Sequence, residues 1–203
     1  MDVAIEILEY LGCKVKQEED TIVVDSTQVN CCDVPHEMMR RMRSSIIFLG
    51  AIVSRCRKTT ISYPGGCELG PRPIDLHLDG LRQLGVSIEE KHGDLVCNAN
   101  QSLKGTFLSL SFPSVGATEN LMIAACLAKG TTTISNAAQE PEIVDLAGYL
   151  NKCGAKICRA GESTIYIEGV AKLHGCEYTV IPDRIETATF LVAAAATRGD
   201  VFL

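Results

Sequence analysis

No stretch of this 203-residue chain stays apolar for long. The longest run, Ile46 to Val53 with Gly50 and Ala51 inside it, is 8 residues, against the ~20 that a membrane-crossing helix needs. A membrane span is therefore not expected. The start, Met1-Asp2-Val3-Ala4-Ile5-Glu6, lacks the basic region of a secretory signal, which leads to the expectation of a cytoplasmic protein. Cys-x-x-Cys pairs are absent as well. The ten cysteines, at 13, 31, 32, 56, 67, 97, 126, 153, 158 and 176, are scattered through apolar stretches, so they read as reduced thiols rather than disulfides. The four histidines stand apart, and His36-Glu37-Met38-Met39 continues with Arg40 where a zinc-protease helix has its second His. No metal is expected. Nor is there a surplus of base: 19 Lys and Arg against 25 Asp and Glu leave a net charge of −6, which argues against a general nucleic-acid binder. Gly-x-Gly-x-x-Gly and Gly-Lys-Ser/Thr are missing too, so nucleotide binding through either motif is rejected.

What remains is 46% hydrophobic and 22% charged, the composition of a soluble globular chain of one domain or at most two. Its most informative feature is an internal repeat. Leu11-Gly12-Cys13-Lys14-Val15 recurs as Leu84-Gly85-Val86-Ser87-Ile88 and, more loosely, as Cys153-Gly154-Ala155-Lys156-Ile157. In the same register Thr59-Thr60-Ile61-Ser62 aligns with Thr132-Thr133-Ile134-Ser135, and Gly130 with Gly199. Each unit of ~70 residues predicts an amphipathic helix ending at a C-cap glycine, a strand region, a helix rich in small residues and a closing strand. The first helices fall at Val3 to Leu11, Leu76 to Leu84 and Ile143 to Leu150. The second helices fall at Ser45 to Ser54, Thr118 to Leu127 and Thr187 to Ala196, and their small residues predict burial. Strands are expected at Thr21 to Val24, Leu95 to Cys97 and Thr164 to Glu168, with alternation also in Phe107 to Phe112 and Tyr178 to Ile181. The fold class is α/β with pseudo-threefold internal repeats.

Three segments carry charge or reactive groups. Arg40 to Lys58 holds six bases and no acid, which fits either an anion site or a solvated basic face. Residues 63 to 77 form a loop with three glycines and three prolines that contains Cys67 and, between two prolines, Arg72. A thiol in such a loop is available to react or to donate a proton. Phe112-Pro113-Ser114-Val115-Gly116-Ala117-Thr118 passes from a strand into a helix, where free backbone N–H groups suit phosphate and where Ser114 or Thr118 equally serves as a cap.

Met42-Arg43-Ser44-Ser45, Pro64-Gly65-Gly66-Cys67 through Arg72-Pro73-Ile74-Asp75-Leu76-His77, Ser114 to Thr118, Ala138 to Asp145 and Pro182-Asp183-Arg184-Ile185-Glu186-Thr187 together resemble the UDP-N-acetylglucosamine 1-carboxyvinyltransferases. The resemblance runs from Asp2 to Leu203 and implies an inside-out α/β barrel of three repeats. It implies a first domain over 1–182 and the start of a second over 183–203. The implied reaction joins the enolpyruvyl group of phosphoenolpyruvate to the 3′-hydroxyl of UDP-N-acetylglucosamine, the committing step of peptidoglycan synthesis, without a cofactor. Cys67 matches the family's proton donor, the thiol to which fosfomycin adds. Arg72 matches a clamp on the anionic substrates, and Arg43 a contact to the sugar nucleotide. The segment Arg72, Pro73, Ile74, Asp75 and Leu76 matches the surroundings of the uridine, and Ser114, Val115 and Gly116 the diphosphate site.

The chain also departs from that pattern. The family's Gly-Ala-Lys-Asn segment and its C-terminal half are absent from these residues, and Phe112 stands where many members have lysine. The chain is thus expected to be a fragment, either inactive alone or a binding module. The shikimate-phosphate enolpyruvyl transferases share the chemistry but not the Cys-bearing loop. For the orphan helix 187–196 two outcomes are expected: closure into a vacant slot of its own chain, or a helix-swapped dimer.

Overall fold

The computed structural model describes residues 2–65 and 73–203, and every structural statement below concerns those residues. Chain order begins with α1 (Asp2–Tyr10), β1 (Lys14–Glu18), β2 (Thr21–Asp25), α2 (His36–Arg41), a 3-10 turn (Arg43–Ile46), α3 (Ile47–Cys56) and β3 (Lys58–Ser62). A second unit follows with α4 (Asp75–Gln83), β4 (Ser87–Lys91), β5 (Asp94–Asn98), β6 (Phe107–Ser109), α5 (Val115–Ala125) and β7 (Thr131–Ser135). The third has α6 (Pro141–Lys152), β8 (Lys156–Cys158), β9 (Thr164–Glu168) and α7 (Arg184–Thr197). The repeat is real at the level of backbone angles. Gly12, Gly85 and Gly154, just past α1, α4 and α6, have φ of +96, +101 and +96 degrees, a conformation that glycine reaches without the clash a Cβ brings.

The strands form a β1-β2 hairpin, a three-stranded sheet β3-β5-β4 and a four-stranded sheet β6-β7-β9-β8. Both larger sheets cross the unit boundaries, because β3 of unit one pairs antiparallel with β5 of unit two, and β7 of unit two with β9 of unit three. Successive units are thereby stitched together. β6 lies parallel to β7, and an isolated parallel bridge from Val34 to Ile61 stands in the same relation to β3. Residues alternate across each sheet, with Ile61, Leu95, Cys97, Ile134, Ile165 and Ile167 turned inward. The inward faces meet α3 and α5, which run through the interior while the sheets lie outside them.

Small residues set how closely these two helices approach. A Cβ on Gly50 of α3 would come within 2.3 Å of the Asn120 Oδ1 and 2.5 Å of the Asn120 backbone oxygen on α5. Asn120 in turn accepts the Gly50 N–H at 2.8 Å and donates to the Ile46 carbonyl at 3.2 Å. Gly80 of α4 leaves similar room for Leu121.

Three sequence expectations are corrected. The alternation over Phe107 to Phe112 yields a strand of only three residues, because Leu110 and beyond turn away toward α5 after one bond to Ser135. Tyr178 to Ile181 is not a strand. The strand that pairs with β6 is the one after α5, whereas residues 198–203 after α7 form none, so Tyr178 to Ile181 has no ladder to join. The Tyr178 hydroxyl instead donates to Asp145 on α6, and its ring meets Tyr149 edge-on at 5.6 Å. Finally, α7 is not buried: no residue on it is, and Phe190 and Leu191 are 51% and 55% exposed. Closure of this helix into its own chain is overturned. Pro182 and the Asp183 cap launch α7 outward, and Arg184 is tied to Glu142 at 2.9 Å. A groove of about 330 Å³ beside Ile123, Leu146 and Val180 stays open.

Candidate active-site cleft

A cleft of about 980 Å³ opens where the turn Arg43–Ile46, the start of α4 and the N-terminus of α5 converge. Each wall has a local cause. Met42 is extended and the chain then tightens into the 3-10 turn, which Ser45 fixes by donating its buried hydroxyl to the Met39 carbonyl at 2.9 Å. Arg43 is thus delivered to the cleft. Pro73, Asp75 and Leu76 line the opposite side, while Ile74 is 4% exposed and packs into the core. Of the segment expected around a base, three residues face the cleft and one supports it from behind.

The third wall is the first turn of α5. Ser114 is the N-cap, extended at φ −81 and ψ 122, and its hydroxyl oxygen accepts the Ala117 N–H at 3.3 Å. The Thr118 hydroxyl donates back to the Ser114 carbonyl at 2.8 Å and accepts the Ala138 N–H at 3.1 Å. Thr118 is fully buried and is spent on structure. The N–H groups of Val115 and Gly116 have no acceptor among the described residues. Two such donors at the positive end of a helix dipole favour an anion. Phe112, 65% exposed, forms part of the rim.

Three lining or supporting residues were not singled out from the sequence. His77, 7% exposed, lines the cleft and places its Nδ1 at 3.0 Å from the Asn120 Nδ2. Burial first, and then the nearby Arg43 charge, push its pKa down to about 4, with Asp75 opposing. Glu119, one turn along α5, borders both the cleft and the open groove, and burial with the Glu142 charge pushes it up to about 7. A signal for His77 existed in the spacing Ile74, His77, Leu78, Leu81, which puts it on the inward stripe of α4.

Cys67 and Arg72 lie outside the described residues. The approach to them is fixed at one end, since Gly65 donates to the Met39 carbonyl at 3.2 Å and a Cβ on Gly65 would lie 2.4 Å from the Arg40 oxygen. Among the described residues no helix is long and apolar enough to cross a membrane, and no cluster of His, Cys, Asp or Glu could hold a metal ion.

A family model described as EPSP synthase (3-phosphoshikimate 1-carboxyvinyltransferase) matches residues 1–203. The chain belongs to that family. Among curated relatives, UDP-N-acetylglucosamine 1-carboxyvinyltransferase 2 of Caldanaerobacter subterraneus subsp. tengcongensis is 55% identical over 99% of this chain and 48% of its own length. UDP-N-acetylglucosamine 1-carboxyvinyltransferase of Finegoldia magna is 51% identical over 99% of this chain and 48% of its own. The chain therefore spans about half the length of these relatives. Among solved structures, the enolpyruvyl transferase NikO from Streptomyces tendae superposes with a TM-score of 0.82 at 26% identity, covering 95% of this chain and 46% of that one. The enolpyruvyl-transferase fold is shared, with the barrel only partly present in these 203 residues.

Proposed function

We propose that these residues form the sugar-nucleotide half of an enolpyruvyl transferase that acts on UDP-N-acetylglucosamine and phosphoenolpyruvate. One observation carries the reading: a basic side chain, Arg43, and two unpaired backbone N–H groups, Val115 and Gly116, face one cleft at a helix N-terminus. Such a cleft takes a diphosphate. Asp75 and Leu76, with Pro73, supply the wall for the base. The identities to relatives named as UDP-N-acetylglucosamine transferases favour the sugar nucleotide over shikimate phosphate.

In the proposed reaction the sugar 3′-oxygen bonds to C2 of phosphoenolpyruvate and gives its proton to a base, while C3 gains a proton. The tetrahedral ketal then expels inorganic phosphate and loses a C3 proton, which restores the double bond. Cys67 is assigned the proton delivery to C3, and Arg72 the clamp on the anionic groups; an arginine fork suits that work because it is always charged. Residues 183–203 are assigned to the start of a second domain, which supplies the cover that α7 lacks against residues 2–182. The helix-swapped dimer is the competing arrangement, and light scattering after gel filtration separates the two by mass.

The test is calorimetric titration of UDP-N-acetylglucosamine into the chain and into Val115→Pro. Proline fits this first helical position, and Ser114 already has the extended angles that a following proline requires. The variant loses one N–H and little else. Binding about tenfold weaker than wild type is expected, since a hydrogen bond to a charged group contributes roughly 1.5–3 kcal/mol. A chain that ignores UDP-N-acetylglucosamine but binds shikimate 3-phosphate would sink the assignment.

A further inference from the structure

The hydrogen bonds around Asn120 decide where the His77 ring carries its proton. The Asn120 Oδ1 accepts from the Gly50 N–H at 2.8 Å and Nδ2 donates to the Ile46 carbonyl at 3.2 Å. Both partners are backbone groups of fixed polarity, so the amide has one orientation. Its second Nδ2 hydrogen faces the His77 Nδ1 at 3.0 Å. That nitrogen must accept, and the ring proton sits on Nε2.

The other edge of the ring points elsewhere. A Cβ on Gly116 would lie 3.4 Å from the His77 Cε1 and 3.7 Å from Nε2, so this edge meets the first turn of α5, where the Val115 and Gly116 N–H groups are open. Among the described residues no acceptor is found for the Nε2 hydrogen, and although the residue as a whole is 7% exposed, this nitrogen reaches the cleft. Water can satisfy it there, and a donor so placed is free to pair with an oxygen of whatever fills the cleft.

We propose that His77 is a substrate-binding residue that donates its Nε2 hydrogen to a diphosphate oxygen of the sugar nucleotide, with Asn120 as the positioning residue that fixes the tautomer. The proposal rests on the reading of this cleft as a diphosphate site. It gives the anion a neutral donor beside the charged Arg43. Because burial and Arg43 hold the imidazole neutral, His77 binds without serving as an acid near neutral pH.

Two measurements test it. Nitrogen NMR of the 15N-histidine-labelled chain is expected to show a pyridine-like Nδ1 and a pyrrole-like Nε2 for His77, unchanged from pH 6 to 8; the opposite tautomer overturns the proposal. Calorimetry with UDP-N-acetylglucosamine then compares wild type, His77→Phe and His77→Gln. Loss of one donor to a charged oxygen predicts roughly ten- to a hundredfold weaker binding for His77→Phe. His77→Gln keeps an N–H near the ε position and is expected to recover most of the loss. If His77→Phe binds within twofold of wild type, the donor role is wrong while the diphosphate reading survives. A wild type that does not bind at all overturns both. Should His77→Phe fail to fold, the wild-type Nε2 hydrogen decides, and no shift of its resonance at saturating ligand rules the contact out.

Discussion

Helices α5 and α7 begin alike and end in opposite surroundings. At α5, Pro113 precedes the cap Ser114, and Thr118 donates its hydroxyl to the Ser114 carbonyl at 2.8 Å. At α7, 69 residues on, Pro182 precedes the cap Asp183, and Thr187 donates to the Asp183 carbonyl at 3.1 Å. Seven residues of α5 are buried and none of α7 is. Local sequence therefore makes the helix and its cap, whereas burial is made by neighbours. α5 has α3, α4 and α6 packed around it, with Gly50 and Gly80 shaped to receive it. α7 has an ion pair to Glu142 and open solvent.

The largest effect is expected where this contrast is put to a direct test. Leu121→Ala on α5 removes a fully buried side chain and is expected to cost about 3–5 kcal/mol. Leu191→Ala on α7, at 55% exposure, is expected to change stability by less than about 0.5 kcal/mol in this chain. Urea unfolding of the two variants measures both. Similar losses would mean that α7 is covered in solution. Gly50→Ala is expected to match the α5 loss, because its new methyl meets the Asn120 backbone as well as the side chain.

Next in size is the effect of pH on the interior. Spacing can place His77 on an inward helix face, but the size of these shifts comes from what packs around α5. The folded His77 pKa, about 4, lies below its ordinary 6.5. Its contribution is complete above pH 6.5 and is lost as pH falls toward 4, on the order of 3 kcal/mol. Glu119 runs the other way: from 4.5 its pKa rises to about 7. Its protonated form is favoured in the fold, so stability is complete below pH 4.5 and falls as pH rises through 7. Glu119→Gln should therefore gain on wild type by about 1–2 kcal/mol between pH 5 and pH 8, a figure discounted for solvent exposure. An unchanged gap between the two unfolding curves would show that Glu119 is not held from solvent.

Periodicity read the repeat well and the neighbours poorly. Gly12, Gly85 and Gly154 announced where three helices stop, because a left-handed turn is written in a single residue. Thr164 to Glu168 alternated and became β9, since β7 and β8 lie on either side of it. Tyr178 to Ile181 alternated equally well and paired with nothing, for want of a strand beside it. The same limit governs the cleft. Arg43 and the Ser114 turn were legible as chemistry along the chain. The junction of His77 with Asn120, 43 residues apart in sequence, exists only because α4 packs on α5.

The smallest effect compares the first unit with the second at one backbone angle. Arg57, immediately before β3, has φ +70; Gly130, 73 residues later and immediately before β7, has φ +91. A left-handed angle costs a residue with a Cβ about 1–2 kcal/mol, and glycine almost nothing. Arg57 carries a second penalty, because its Nη1 is buried with no partner among the described residues. Against removal stand the packing of the arginine stem and the greater freedom of glycine in the unfolded chain. The backbone bonds survive either way, since the Arg57 N–H still reaches the Val53 carbonyl and its carbonyl still accepts from Ala99. The balance favours Arg57→Gly by about 0.5–1 kcal/mol, or roughly 1–4 °C in Tm for a chain of this size. Gly130→Ala is expected to lose about the same amount. Its Cβ would meet nothing within 4 Å, so the loss isolates the angle from any clash. Opposite signs for the two variants in thermal unfolding would locate the strain in the turn itself. A destabilised Arg57→Gly beside a destabilised Gly130→Ala would mean that the Arg57 stem contributes more to unit one than its backbone costs.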